Sequence, residues 1–211
     1  MRSLSIKDLT CNYLKNPLGI GLEPPFFNWK LVSEVPGSKQ TAYRLQVSEE
    51  ENFSPVMWDT DWVLGDESVH IEYRGPHLEG MTRYYWRVNV MDQNQDEGDW
   101  SDVAHYETGL RHDDWQAKWV EPEDQVDPKA FKPAPFLRRN FSTEGEIVQA
   151  RLYVTAHGLY EAYLNGKRVG DQVFTPGNTD VVNRLQYQVY DVTGLLNEGQ
   201  NCIAVKIGRA H

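Results

Sequence analysis

The sequence predicts an all-β fold made of two antiparallel β-sandwich domains. Three observations predict it. Short runs rich in Val, Tyr, Phe and Trp alternate apolar and polar residues with a period of two, as half-buried strands do. Gly, Pro, Asn and Asp punctuate those runs at short intervals. No window of a dozen residues carries a helical period, and the 211 residues suffice for two domains of about 100 residues each.

In the first half, residues 26–31, 42–48, 68–73, 84–90 and 103–108 read as strands. Residues 78–88 contain the pattern Leu78, Thr82, Tyr84, Arg87, Val88. That pattern is similar to the E–F corner and F strand of fibronectin type III domains. There a tyrosine near the start of the strand ties its hydroxyl back to the preceding corner. The likeness gives Tyr84 that role and makes Trp29 the core indole.

Residues 121–135 hold Pro122, Pro128, Pro133 and Pro135 among many charges, which excludes a helix or a central strand. The expected organisation is a fibronectin type III-like sandwich over 1–118, a linker or crossing segment over 119–135, and a jelly-roll-like sandwich over 136–211. In that second half, 136–141, 147–155, 159–164, 167–169, 185–190 and 201–207 read as strands. Asn165-Gly166 between two of them is a hairpin signal, because both central positions of a type I′ turn need positive φ. Residues 191–196 read as a turn or a single helical turn.

Composition narrows function. The net charge is −10. Residues 1–115 carry 10 Lys and Arg against 20 Asp and Glu, whereas 116–211 carry 11 of each. An acidic first half argues against nucleic-acid binding, which needs a basic face. No apolar run approaches membrane-spanning length, and the first residues lack a signal-peptide core, so a cytoplasmic location is expected. Cys11 and Cys202 are too few for a disulfide framework or a zinc site and read as free thiols.

Several polar clusters have residue types that could carry chemistry. Asp59 and Asp61, between Trp58 and Trp62, share a face if the strand is regular; solvated acids on an edge strand are the plainer reading. Asp92, Asp96, Glu97 and Asp99 crowd a loop with the oxygen ligands calcium prefers, but without EF-hand spacing, so a solvated F–G turn is expected. His70, His77, His105, His112, His157 and His211 show no metal-ligand spacing. Neither a nucleophile elbow nor a phosphate loop is present.

The most specific run begins at Gly158-Leu159-Tyr160-Glu161 and continues through residues 164–171 and Thr175-Pro176-Gly177. Thr179-Asp180, Arg184, Tyr187, Tyr190-Asp191-Val192-Thr193 and Leu195-Leu196 follow in order. This resembles the non-catalytic N-terminal β-domain of bacterial α-L-rhamnosidases, and the first half resembles the fibronectin-like domain before it. Gly109-Leu110, Asp114-Trp115, Ala117 and Trp119 look like the junction. The family usually has an aromatic where Asn178 stands and often a tyrosine where Val181 stands, so the resemblance does not carry aromatic stacking on a sugar to that loop.

The resemblance implies an inverting glycosidase whose (α/α)₆ barrel, with its two carboxyls about 6.5–9.5 Å apart, lies beyond this chain. It implies that the chain alone has no catalytic residues and serves as scaffold and carbohydrate-binding arm. Asn178, Asp180 and Asn183 are the candidate carbohydrate-binding residues. Amides and carboxylates suit sugar hydroxyls, and some relatives of the domain bind rhamnose through Ca²⁺, which would sit at Asp180. Bracing of the loop by Asp180 is the competing reading. The expected partners are a rhamnose-containing glycoside, through the parent enzyme, and the catalytic domain; a bared interface would favour a homodimer. The rival reading is a free-standing carbohydrate-binding or protein-interaction module.

Overall fold

The computed structural model describes residues 4–122, 133–180 and 182–208. Most of the expected linker, Val181 and His211 lie outside the described residues. The chain divides into two compact units, Met1–Gln116 and Ala117–His211, and both are built almost wholly from antiparallel strands.

The first unit holds β1 (Ser5–Cys11), β2 (Phe26–Val32), β3 (Gln40–Ser48), β4 (Trp58–Asp59), β5 (Val63–Leu64), β6 (Ile71–Glu72), β7 (Arg83–Asp92) and β8 (Ala104–Glu107). One sheet has the order β1-β2-β6; the other runs β4-β3-β7-β8, with β5 also pairing β3. Period-two burial drives this arrangement. Along β7, Tyr84, Trp86, Val88 and Val90 are buried while Arg83, Tyr85 and Arg87 are only partly so. They meet Phe27, Trp29, Leu45, Val47 and Tyr106 in one core. The Trp29 indole Nε1 donates to Gln40 Oε1 at 3.1 Å, so its polar edge is satisfied inside the core.

Two departures from the sequence expectation have local causes. The strand expected over 68–73 contracts to β6 because His70 sits at φ 61, a left-handed position that breaks the ladder. β1 carries no clean alternation, because a bulge between Lys7 and Thr10, with Asp8 at φ 51, shifts its register.

The second unit holds β9 (Phe136–Thr143), β10 (Arg151–Val154), β11 (Leu159–Leu164), β12 (Lys167–Arg168), β13 (Gln188–Asp191) and β14 (Gly199–Gly208). The sheet β12-β11-β14-β9 is accompanied by the pair β10-β13. Asn165 and Gly166, at φ 50 and 80, form the β11–β12 hairpin. A single 3₁₀ turn spans Thr193–Leu195. The strands expected over 147–155 and 185–190 shorten to β10 and β13, which pair only over their four-residue registers.

This second core is thin. Ala156, Tyr160, Ala162, Leu164, Val169 and Val192 are buried, and Phe141, Leu152, Val154, Ile203, Val205 and Ile207 pack on them only half-covered.

Candidate functional site

The loop carrying Asn178, Asp180 and Asn183 leaves the second unit between β12 and β13. Its root is firmly held. The Thr175 hydroxyl donates to the Tyr160 carbonyl at 2.9 Å, and the Tyr160 amide donates to the Thr175 carbonyl at 2.8 Å. Gln188 Nε2 donates to the Pro176 carbonyl at 3.0 Å, while Gln188 Oε1 accepts the Tyr160 hydroxyl at 2.8 Å. Burial pushes the Tyr160 phenol far up, so it stays a neutral donor.

Beyond the root, Asp180 braces a turn. Asn183 Nδ2 donates to Asp180 Oδ2 at 2.5 Å, and the Val182 amide donates to Oδ1 at 3.2 Å. The Asn183 side chain and then the Val182 amide hold the Asp180 carboxyl below its ordinary range. The structure thus brings Asp180 and Asn183 together. Asn178 is exposed on the same loop and has no side-chain hydrogen bond to either.

Calcium takes six to eight oxygens. Here one carboxylate, both of whose oxygens already accept hydrogen bonds, faces the nitrogen side of an amide. That donor set does not fit the ion. No cluster of three or more His, Cys, Asp or Glu able to hold a metal occurs among the described residues.

Other acids are tied down by cations. Arg44 Nε and Nη2 bond Asp59 at 2.9 and 2.6 Å, and Gln46 Nε2 adds a bond of 2.7 Å. Asp61 lies outside the strand, with its carboxylate 3.8 Å from the same Arg44 Nη2. It stands at φ 51, past the end of β4, and donates its amide to Asp59 Oδ1 at 2.9 Å. Arg83 holds the buried Glu107 at 2.6 Å, and Arg151 holds Asp191 at 2.9 Å. Arg111 pairs with Glu79. In the F–G turn, Asp92 Oδ1 accepts the amides of Asn94 and Asp96 at 2.8 and 3.1 Å. A general acid needs a raised pKa. Asp8 and Asp59 move the other way. The Lys30 hydrogen bond lowers Asp8, and at Asp59 the bonds from Arg44 and Gln46 outweigh the upward push of burial.

One feature of the first unit carried no signal in the sequence. A shallow depression of 260 Å³ is lined by Asn12, Tyr13, Gly21, Glu23, Pro24 and Phe26. Its rim joins the β1–β2 connection to the segment before β6, because the Tyr13 hydroxyl and His70 Nδ1 are hydrogen-bonded at 2.7 Å. Those residues lie 57 positions apart, so no local pattern marks them.

Residues 6–112 match the family model described as "Rha78A-like, N-terminal immunoglobulin domain". Residues 145–210 match the one described as "Alpha-L-rhamnosidase N-terminal domain". The chain belongs to the α-L-rhamnosidase N-terminal family. An α-L-rhamnosidase of Alteromonas sp. strain LOR is 35% identical over 203 residues, which are 91% of this chain and 22% of that protein. The solved α-L-rhamnosidase from Dictyoglumus thermophilum superposes with a TM-score of 0.89 at 38% identity, covering 98% of this chain and 25% of that one. The native enzyme of Aspergillus terreus gives a TM-score of 0.86 at 32% identity, covering 98% and 24%. The chain thus spans about a quarter of the length of the relatives it matches. In this rhamnosidase N-terminal family the first unit is an immunoglobulin-type sandwich, the same architecture as the fibronectin type III domain that Tyr84 pointed to.

Proposed function

We propose that the chain is the non-catalytic N-terminal arm of an α-L-rhamnosidase, and that its second unit is the face on which the catalytic part packs. The observation that carries this reading is the unfinished apolar surface of the second unit. Phe136, Val148, Val173, Phe174 and Val182 are 64–87% exposed, and among the described residues the core of the unit has six buried apolar side chains. Where such side chains lie together they mark an interaction surface, and the thin core beneath them is what distinguishes this unit from the first. The cation-held carboxylates support the non-catalytic half of the proposal, because they are set for structure rather than proton transfer.

The test adds the purified chain to the catalytic remainder of the Alteromonas relative, produced without its own matching quarter. Association, with a raised melting temperature of the remainder, is the expected result. Turnover of an aryl rhamnoside by the chain alone would overturn the reading, as would a monodisperse monomer that does not associate. In the same proposal, sugar contact at the 178–183 loop rests on the outward amide of Asn178, and calorimetry with L-rhamnose measures it. Glycan binding by the chain alone, without association, would favour the free-standing module instead.

A further inference from the structure

The depression on the first unit has no part in the packing role just proposed, and three features set it apart. The first is its backbone. Asn12 and Tyr13, which line it, and His70, bonded to Tyr13 at its edge, stand at φ 48, 64 and 61. Asn tolerates that region; a tyrosine and a histidine there are held against their preference by the surrounding fold.

The second is its shape. Tyr13 is 61% exposed, yet its hydroxyl is fixed by His70, whose ring lies on Phe26 with centroids 3.7 Å apart and planes 20° from parallel. Phe26 is in turn anchored to Asn12, whose Oδ1 accepts the Phe26 amide at 2.8 Å. An aromatic face is therefore held outward rather than buried.

The third is unused hydrogen-bonding capacity. The Glu23 carboxylate and Asn12 Nδ2 have no protein partner among the described residues. The Tyr13–His70 pair, whichever atom donates, leaves one donor and one acceptor when the imidazole is neutral.

We propose that this depression is a subsite for a single neutral pyranose. The C–H face of the sugar lies on Tyr13, and its hydroxyls reach Glu23, Asn12 and His70. Apolar rings with a few convergent polar groups are the ordinary make-up of a small-ligand site. The volume of 260 Å³ is below the roughly 300–1,000 Å³ of drug-sized pockets, which suits one ring rather than a chain of them. The choice of a sugar rests on the rhamnosidase-arm reading; the ring, the donors and the acceptors do not.

The test is an amide-resolved NMR titration of the full chain with L-rhamnose in the millimolar range, and separately with choline. Rhamnose is expected to produce saturable shifts at Asn12, Tyr13, Gly21, Glu23 and His70. Tyr13→Gly should abolish them while leaving the rest of the spectrum in place, since glycine adopts φ 64 without strain. Glu23→Gln should weaken binding about tenfold. Absence of shifts, shifts confined to residues 178–183, shifts that survive Tyr13→Gly, or a response to choline alone would each overturn the proposal. None of those outcomes touches the packing role, which is read by association with the catalytic part.

Discussion

The Tyr84 hydroxyl accepts the backbone amide of Glu79 at 2.8 Å, closing the corner that leads into β7. Its ring is fully buried against Tyr106, with centroids 5.4 Å apart. The two tyrosines differ in one respect. Tyr84 has a partner for its hydroxyl, whereas the buried Tyr106 hydroxyl has none among the described residues.

That difference predicts opposite outcomes for one chemical change. Tyr84→Phe leaves the Glu79 amide without its acceptor and should cost about 1–2 kcal/mol. Tyr106→Phe removes an unpaired polar atom and should be neutral or stabilising. Urea denaturation of the two variants, followed by tryptophan fluorescence, checks both; an equal loss would refute the distinction.

The Arg44–Asp59 pair predicts a pH dependence. The folded Asp59 ionises at lower pH than it does in the unfolded chain. Its contribution is therefore full above the unfolded value of roughly 3.9 and fades as pH falls through the lower folded value. Asp59→Asn should cost about 1–3 kcal/mol at neutral pH. The gap to the parent chain should narrow in denaturation curves taken below about pH 4.

Arg87 lies between two rings, 4.1 Å from the centroid of Phe53 and 4.4 Å from that of Trp100. Its Nε and Nη2 both donate to Gln46 Oε1, at 3.0 and 2.8 Å. A lysine offers a point charge but neither the flat face nor the fork. Arg87→Lys should lower stability by about 1–2 kcal/mol, and the thermal midpoint of the first unit reports it. A midpoint equal to the parent's would show that the stacking contributes nothing.

Asn201 is 3% exposed and joins β14 to three neighbouring segments. Its Oδ1 accepts from Asn165 Nδ2 and the Asn197 amide at 2.7 and 2.9 Å. Its Nδ2 donates to Thr143 Oγ1 and to the Asn197 and Gly199 carbonyls at 3.2, 2.8 and 3.0 Å. Asn201→Leu keeps the branched shape but is larger and strands these groups, so it should cost about 3 kcal/mol or more. Hydrogen exchange at Asn165 and Cys202 should rise with it, because the Asn165 side chain also accepts the Cys202 amide.

Legibility followed the range of the interaction. β7 and β11 were readable because burial on one sheet face writes a period of two into the chain, and β2 and β3 because apolar, β-prone residues are concentrated in them. The Asn165-Gly166 hairpin and the Tyr84 corner were readable because their chemistry is local. β1 was not, since the left-handed residue Asp8 disrupts the alternation that marks a strand, while the strand read over 68–73 was cut to β6 by the left-handed His70. Around the candidate loop, Asp180 was identified, but its engagement with Asn183 depends on how the turn folds.

The sequence by itself determined the all-β class and the tyrosine that closes the corner, because those follow from periodicity and short-range turn chemistry. Only the tertiary structure decided which acids are held by cations and that Tyr13 and His70 meet. Contacts between residues dozens of positions apart leave no periodic trace, so their chemistry becomes visible only once the sheets have brought them within hydrogen-bonding distance.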